Sequence, residues 1–392
     1  MMLRSVVRCV ALVGALASAV LANPAETVAP VAAEQSAPAP AAAPHVGSWH
    51  PREVDGVEYL PLEDFRSFYK LMPMQPKGRR VVGQRMLGNG EVTLIFGPNP
   101  RELRIQDRLC MLSYPVLEDA SGDMLVSKID LLQVIEPVLR PTYIRNRSAV
   151  RTVVIDPGHG GHDAGTITSY VRESDVALLV ARKLAADLQK RGYETLLTKE
   201  QNTYLSPQGR VDKANEASAA IFVSLHLNSG RSDYQGVQTY TLAPAAKNEK
   251  PLPGHEFGPS SMALAMALQS SLVEKADAQD GGCHRVRYSP LSSVRCPAVI
   301  VELGYATNPE EGTRLNTDEY QMKLASSLAD GVDSFAKMVN PATNLHVQQA
   351  PVVETPPAPV KVTPAPVTKK AEPRKRAERR RAPVGKGKKR GR

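Results

Sequence analysis

The chain has 392 residues, 42% of them hydrophobic, with 49 Lys or Arg against 40 Asp or Glu and four cysteines, which is enough for two domains with ordinary cores. Its net charge of +9 is unevenly spread: residues 369–392 hold 13 Lys or Arg against Glu372 and Glu378, a net of +11, and everything before them sums to −2. The basic character therefore belongs to the tail, and a generally basic folded surface is excluded.

At the start, Arg4 and Arg8 precede an uncharged apolar run from Cys9 to Leu21, followed by Ala22 and Asn23-Pro24. A run of 13 residues is too short to span a bilayer comfortably, so residues 1–22 are expected to be a removable secretion signal, with Ala22 or Ala19 the last residue removed. Cys9 opens the run rather than closing it, which argues against a lipoprotein cleavage site. The expected location is exported, in the periplasm or cell envelope. Removal would leave Cys110, Cys283 and Cys296, and three thiols cannot all pair within one chain. Export permits a disulfide, and Cys283 with Cys296 is the economical pair because both fall in one domain.

Residues 23–49 are dominated by Ala and Pro and read as a linker; residues 341–392 read as a disordered tail, Pro-rich and then basic. Between them, residues 50–142 show short β-like runs such as Glu91–Phe96 and Leu109–Leu112, with Asn89-Gly90 as a hairpin turn. Two stretches there are alike. Gly56–Glu63 and Gly122–Leu132 each read as a strand running into a short helix.

Residues 149–340 alternate strand and helix. Val153–Ile155, Glu194–Thr198, Ala220–Ser224 and Ala298–Val301 are apolar or β-branched runs suited to a sheet covered on both faces. Val176, Val180, Leu184 and Leu188 mark one face of a helix, and Met262, Ala265, Met266 and Leu268 suggest another. The fold class is therefore α/β, a mostly parallel sheet flanked by helices, preceded by a small β-rich α+β module.

Ligands in such sheets collect at the carboxyl ends of the strands, and the polar residues fall there. The first strand runs into Asp156-Pro157-Gly158-His159-Gly160-Gly161-His162-Asp163, another into Ser224-Leu225-His226-Leu227-Asn228, and a third into Glu302-Leu303-Gly304. Glu173 opens the helix marked by Val176. A catalytic zinc commonly takes three N or O ligands and leaves a position for water. His159, Glu173 and His226 would supply the ligands for one Zn2+ per catalytic domain, with Glu302 left to handle protons. An acid embedded in Ala298–Val301 also needs a reason to be there.

Taken in order, Val154–Gly161, Glu173, Ser224–Asn228 and Val301–Asn308 resemble the zinc-dependent, type 3 family of N-acetylmuramoyl-L-alanine amidases over about 190 residues. Leu205–Arg210, Ala214-Asn215 and Gly236-Val237 also look like stretches of that family. The resemblance implies that His159, Glu173 and His226 bind zinc and that Glu302 is the catalytic carboxylate, acting on the amide between the lactyl group of muramic acid and L-alanine in peptidoglycan. Arg210, Asn228 and Asn308 are expected along the substrate groove. His162 stands where the family usually has a hydrophobic or small residue, and Tyr305 where it more often has Phe. His162, His255 and His284 are expected on the surface or in the groove rather than on the metal.

Some relatives carry an inserted inhibitory helix; Ala243–Pro259 is too short and broken by Pro and Gly for one. Residues 50–142 resemble the small stalk domain named after the N-terminal domain of copper amine oxidases, which implies a spacer or wall contact without its own chemistry. The basic tail would contact anionic wall polymers or a membrane surface by charge; lacking interleaved aromatics, it gives no expectation of specific nucleic-acid binding. No residue names an activating partner. A zinc peptidase of the stem peptide and a non-catalytic wall-binding protein remain the competing readings.

Overall fold

The computed structural model describes residues 49–340 apart from 70, 72–74, 78–79, 88–89, 98 and 246–248, together with residues 360–361. Residues 1–48, Asn89 of the expected turn and most of the tail lie outside the described residues. No described helix is long and apolar enough to cross a membrane.

The amino-terminal module opens with strands β1 (Arg52–Val54) and β2 (Val57–Pro61), then helix α1 (Leu62–Tyr69). A meander follows: β3 (Gln75–Lys77), β4 (Arg80–Leu87), β5 (Gly90–Phe96), β6 (Glu102–Ile105) and β7 (Arg108–Met111), each antiparallel to the next. Next come β8 (Leu117–Glu118) and β9 (Met124–Ser127). A helical run closes the module: α2 (Lys128–Asp130), a π-helical turn (Leu131–Ile135) and α3 (Glu136–Leu139). The two strand-to-helix stretches expected to be alike are alike, and their strands β2 and β9 pair antiparallel.

The following α/β region contains β10 (Thr152–Pro157), α4 (Glu173–Lys190), β11 (Glu194–Leu197), α5 (Pro207–Glu216), β12 (Ile221–Asn228), β13 (Val237–Leu242), α6 (Gly258–Lys275), β14 (Asp280–Val286), α7 (Ser289–Ser293), β15 (Ala298–Tyr305), α8 (Pro309–Leu315) and α9 (Asp318–Val339). The strand order is β11-β10-β12-β15-β13-β14, parallel throughout except where β13 meets β15. Helix α4 buries Val176, Val180, Leu184 and Leu188, spaced to lie on one face. With α6 and α9 it encloses the larger core, while α5 and α7 cover the smaller core on Val154, Phe222 and Ile300.

The amino-terminal module is not a detached spacer. Its meander joins the α/β sheet through β7 and β14, giving one sheet of 11 strands, and its buried Leu94, Phe96, Leu103 and Ile105 belong to the same core as Leu184 and Leu268. Two residues of the Pro-rich stretch, β16 (Val360–Lys361), pair with β1, so the expectation of disorder does not hold for them. An edge strand offers unpaired backbone donors and acceptors to whatever chain passes.

The cysteine expectation needs correction. Cys110, Cys283 and Cys296 are free and buried. Cys283 belongs to the larger core and Cys296 to the smaller one, and the register partner of Cys283 is Cys110 on β7.

Candidate metal centre

Strand β10 ends in a turn that places His159. His159 has φ +53°, and the chain stays in the left-handed region through Gly160 (φ +121°) and Gly161 (φ +62°). A side chain at Gly160 would lie 2.3 Å from the Thr203 carbonyl oxygen, so glycine is required by both conformation and space. Beneath the turn, buried Arg210 donates to Asp156 Oδ1 (2.7 Å), to the Pro157 carbonyl (2.7 Å) and to the His159 carbonyl (2.9 Å). Thr198 donates to the same Asp156 Oδ1 at 2.6 Å, and Ser224 to Asp156 Oδ2 at 2.8 Å. This network fixes the backbone from which His159 projects.

Glu173 is the first residue of α4, where helix N-terminal N–H groups favour negative charge. It is 3% exposed, and its Oε1 lies 3.0 Å from His159 Nε2 and 3.0 Å from His226 Nδ1. The Leu227 N–H donates to Oε1 and the Thr166 N–H to Oε2. Burial acts to raise the Glu173 pKa, but bonds from His159 and His226 prevail and hold it far below the usual carboxylate range. The same contact with Glu173 holds His159 above the ordinary imidazole value. Asp163, four residues after His159, meets its Nδ1 at 2.9 Å and orients the ring.

One donor atom from each of His159, Glu173 and His226 lies within 4.8 Å of the others. Ligands about 2 Å from a tetrahedral zinc stand about 3.3 Å apart, so the donor type and spacing fit such an ion. A Cβ on Gly158 would lie 2.4 Å from the His226 ring, so a side chain there would displace that donor.

Glu302 completes the group. It is the register partner of His226 on the adjacent strand, and its Oε2 is buried without a hydrogen-bond partner. Burial pushes its pKa up to about 7, with His226 pulling down and Glu173 pushing up. The four residues read from sequence as one centre therefore converge.

The groove residues divide. Asn228 ends β12 beside the centre, where its Nδ2 donates to Gln238 Oε1 at 2.5 Å. Arg210 and Asn308 are not groove residues. Arg210 is 6% exposed beneath the His159 turn, and Asn308 is 7% exposed, capping α8 by accepting from the Glu310 and Glu311 N–H groups. Tyr305, in place of Phe, packs edge-on against the exposed Tyr234, and its N–H donates to Glu311. His162 packs at a tilt against Tyr204, His255 is tied to Leu252 and Ala243, and His284 stacks on Tyr240. None of the three joins the donor cluster. Among the described residues of 243–259 stands the short turn Pro253–Phe257, and Gly258 and Pro259 open α6.

Sequence reasoning missed Asp163, whose signal was its spacing from His159.

The profile of the N-acetylmuramoyl-L-alanine amidase family matches residues 153–334. The uncharacterized protein YqiI of Bacillus subtilis (strain 168) is 32% identical over 185 residues, 47% of this chain and 84% of that protein. The germination-specific N-acetylmuramoyl-L-alanine amidase of the same organism is 30% identical over 198 residues, 46% of this chain and 78% of that protein. A solved N-acetylmuramoyl-L-alanine amidase from Clostridium difficile 630 is 33% identical, covering 48% of this chain and 97% of that structure, with a TM-score of 0.43. Relatives at 30% identity or more, matched over most of their own length, place this chain in the N-acetylmuramoyl-L-alanine amidase family.

Proposed function

We propose that the chain is a zinc-dependent hydrolase that cuts the amide between the lactyl group of N-acetylmuramic acid and L-alanine in peptidoglycan. Family membership supplies the reaction; the observation that supports it here is Glu302, buried with an unpartnered oxygen beside three convergent metal-type donors. His159, Glu173 and His226 would hold the ion. Zinc bound there would lower the pKa of water and polarise the scissile carbonyl.

Glu302 takes a proton from the attacking water and returns it to the amine of L-alanine as the C–N bond breaks. Its pKa of about 7 without metal suits both halves of that transfer. Asp163 keeps the His159 ring turned toward Glu173, and Arg210 with Asp156 holds the turn beneath it. Asn228 would form part of the groove wall.

The same reading extends to the rest of the chain. Residues 1–22 would direct export to the periplasm or envelope, 23–49 would be a linker, 50–142 an accessory module, 149–340 the catalytic domain, and 341–392 a tail whose basic end contacts anionic wall polymer or membrane surface.

The test is digestion of purified walls followed by mass spectrometry. Intact stem peptides with a free L-alanine amine are expected, together with uncut glycan strands, from the zinc-loaded protein and not from Glu302→Ala. Shortened stems still attached to sugar would instead establish a peptidase.

A further inference from the structure

Where the amino-terminal module joins the α/β sheet, Cys110 of β7 stands opposite Cys283 of β14 as its register partner. Gly282, with φ +91°, lets the two strands come close: a Cβ there would lie 2.9 Å from the Leu109 side chain and 3.1 Å from the Leu109 carbonyl oxygen. Asp280 ties the same strands together, accepting from the Leu109 N–H at 2.9 Å through one carboxylate oxygen and from the Gly282 N–H at 3.1 Å through the other. Arg108 on β7 also reaches Glu274 on α6 at 2.8 Å.

Both sulfurs point toward α6. Cys110 Sγ lies 3.1 Å from Met266 Sδ, Cys283 Sγ lies 3.5 Å from the same atom, and Thr239 Oγ1 donates to Cys283 Sγ at 3.1 Å. Each cysteine is 0% exposed. The Cys110 thiol is held well above its ordinary value, first by its hydrogen bond with Cys283 and then by burial. Paired strands hold their backbones about 4.8 Å apart, inside the Cα separation of roughly 4.4–6.8 Å that a disulfide uses. Two sulfurs that meet each other and share a third therefore stand where a covalent bond needs only a small adjustment. Cys296 lies in the smaller core, where burial pushes its thiol up to about 12.

We infer that Cys110 and Cys283 are a disulfide-forming pair that cross-links the amino-terminal module to the α/β sheet, the structure showing its dithiol form. This rests on the export reading, since such bonds form and persist in oxidising compartments. The oxidant is itself a disulfide, carried by a thiol oxidoreductase or by glutathione. One cysteine thiolate attacks it to give a mixed disulfide, and the second cysteine thiolate then displaces the oxidant's sulfur. Two S–H bonds give way to one S–S bond, and the two electrons and two protons pass to the oxidant, which leaves as two thiols.

Because both sulfurs are buried and Cys110 is held as a thiol, the bond forms while the chain folds, before the strands close over it. The loop it closes runs from residue 110 to residue 283 and contains His159, Glu173 and His226. A cross-link over so long a loop removes more freedom from the unfolded chain than a short one does. The module is thereby fastened to the sheet that carries the metal-type donors.

The test takes the full chain, reduced and unfolded in urea, and refolds it in a buffer of reduced and oxidised glutathione. Thiols are then alkylated in denaturant, and the protein is digested without reductant for mass spectrometry. A peptide holding Cys110 joined to one holding Cys283 is expected, with Cys296 alkylated. Alkylation of all three, or a bridge from Cys296 to either of the others, overturns the pairing. Protein recovered from the cell envelope should carry the same linked peptides, and exported protein without them overturns the proposal. If the chain is found in the cytoplasm with residues 1–22 intact, the export reading fails instead, and the refolding result alone decides the pair. The oxidised protein should also unfold about 1 M higher in urea than the same protein in reductant, a gap that Cys296→Ala keeps and Cys110→Ala removes. A gap of equal size in Cys110→Ala overturns the pairing. The peptide map needs no variant, so it decides the pair even where Cys110→Ala fails to fold.

Discussion

Two carboxyl groups on one sheet are treated in opposite ways. Asp156, at the end of β10, is 1% exposed and is met by Arg210, Thr198 and Ser224. Glu302, two strands away on β15, is left with a buried oxygen that nothing bonds, and burial raises its pKa to about 7. The first carboxylate is committed to holding the His159 turn. The second is kept free to exchange a proton, at a cost in stability. Structural and reactive acids are thus told apart by their partners rather than by their depth.

The largest effect should come from removing the donors that both acids serve. Glu173→Ala, or a chelator, is expected to abolish amide cleavage, with zinc restoring activity only after chelation; full activity of metal-free protein in the same assay would break the comparison at its root. Glu302→Gln should lower kcat by about 10²- to 10⁴-fold, the range of general acid-base help, with zinc content unchanged by elemental analysis. Loss of zinc in that variant would mean Glu302 is a ligand rather than a proton carrier. On the other side of the comparison, Arg210→Met should leave Asp156 buried without its cation, costing about 3–5 kcal/mol in urea unfolding. Stability within about 1 kcal/mol of wild type would remove Asp156 and Arg210 from the structural role given to them.

The contrast was only half legible in the sequence. Glu302 announced itself because an acid in Ala298–Val301 needs a reason, and the strands carrying His159 and His226 were readable as apolar runs. Arg210 was placed in the groove because a motif arginine looks the same in sequence whether it faces substrate or turns beneath a loop. Only the bonds to Asp156 and to the Pro157 and His159 carbonyls separate the two. Strand β14 escaped notice because Asp280–Val286 carries two glycines and few apolar side chains; its place comes from pairing with β13. Cys110 and Cys283 are far apart in sequence, and pairing of the two modules' strands was needed to set them opposite each other. Local pattern identified the strands and the reactive ends, while contacts between distant segments decided which polar residues hold the frame.

A smaller effect isolates the cost of keeping Glu302 unpartnered. Its folded pKa of about 7 lies above the ordinary 4.5, so between those values the folded protein binds more protons than the unfolded chain. Stability of metal-free protein should therefore be undiminished below about pH 4.5 and fall as pH rises toward about 7, by at most about 3 kcal/mol before solvent relaxation reduces it. Glu302→Gln cannot take on the charge, so metal-free Glu302→Gln should be more stable than wild type by about 1–3 kcal/mol at pH 8 and gain nothing from that source at pH 4. Zinc, placing positive charge beside the carboxylate, should narrow the gap at pH 8. Paired urea titrations at the two pH values, with and without metal, measure all three terms. A gap independent of pH would mean that the substitution changes packing rather than charge, and Glu302 would then lose the contrast with Asp156 that sets it apart.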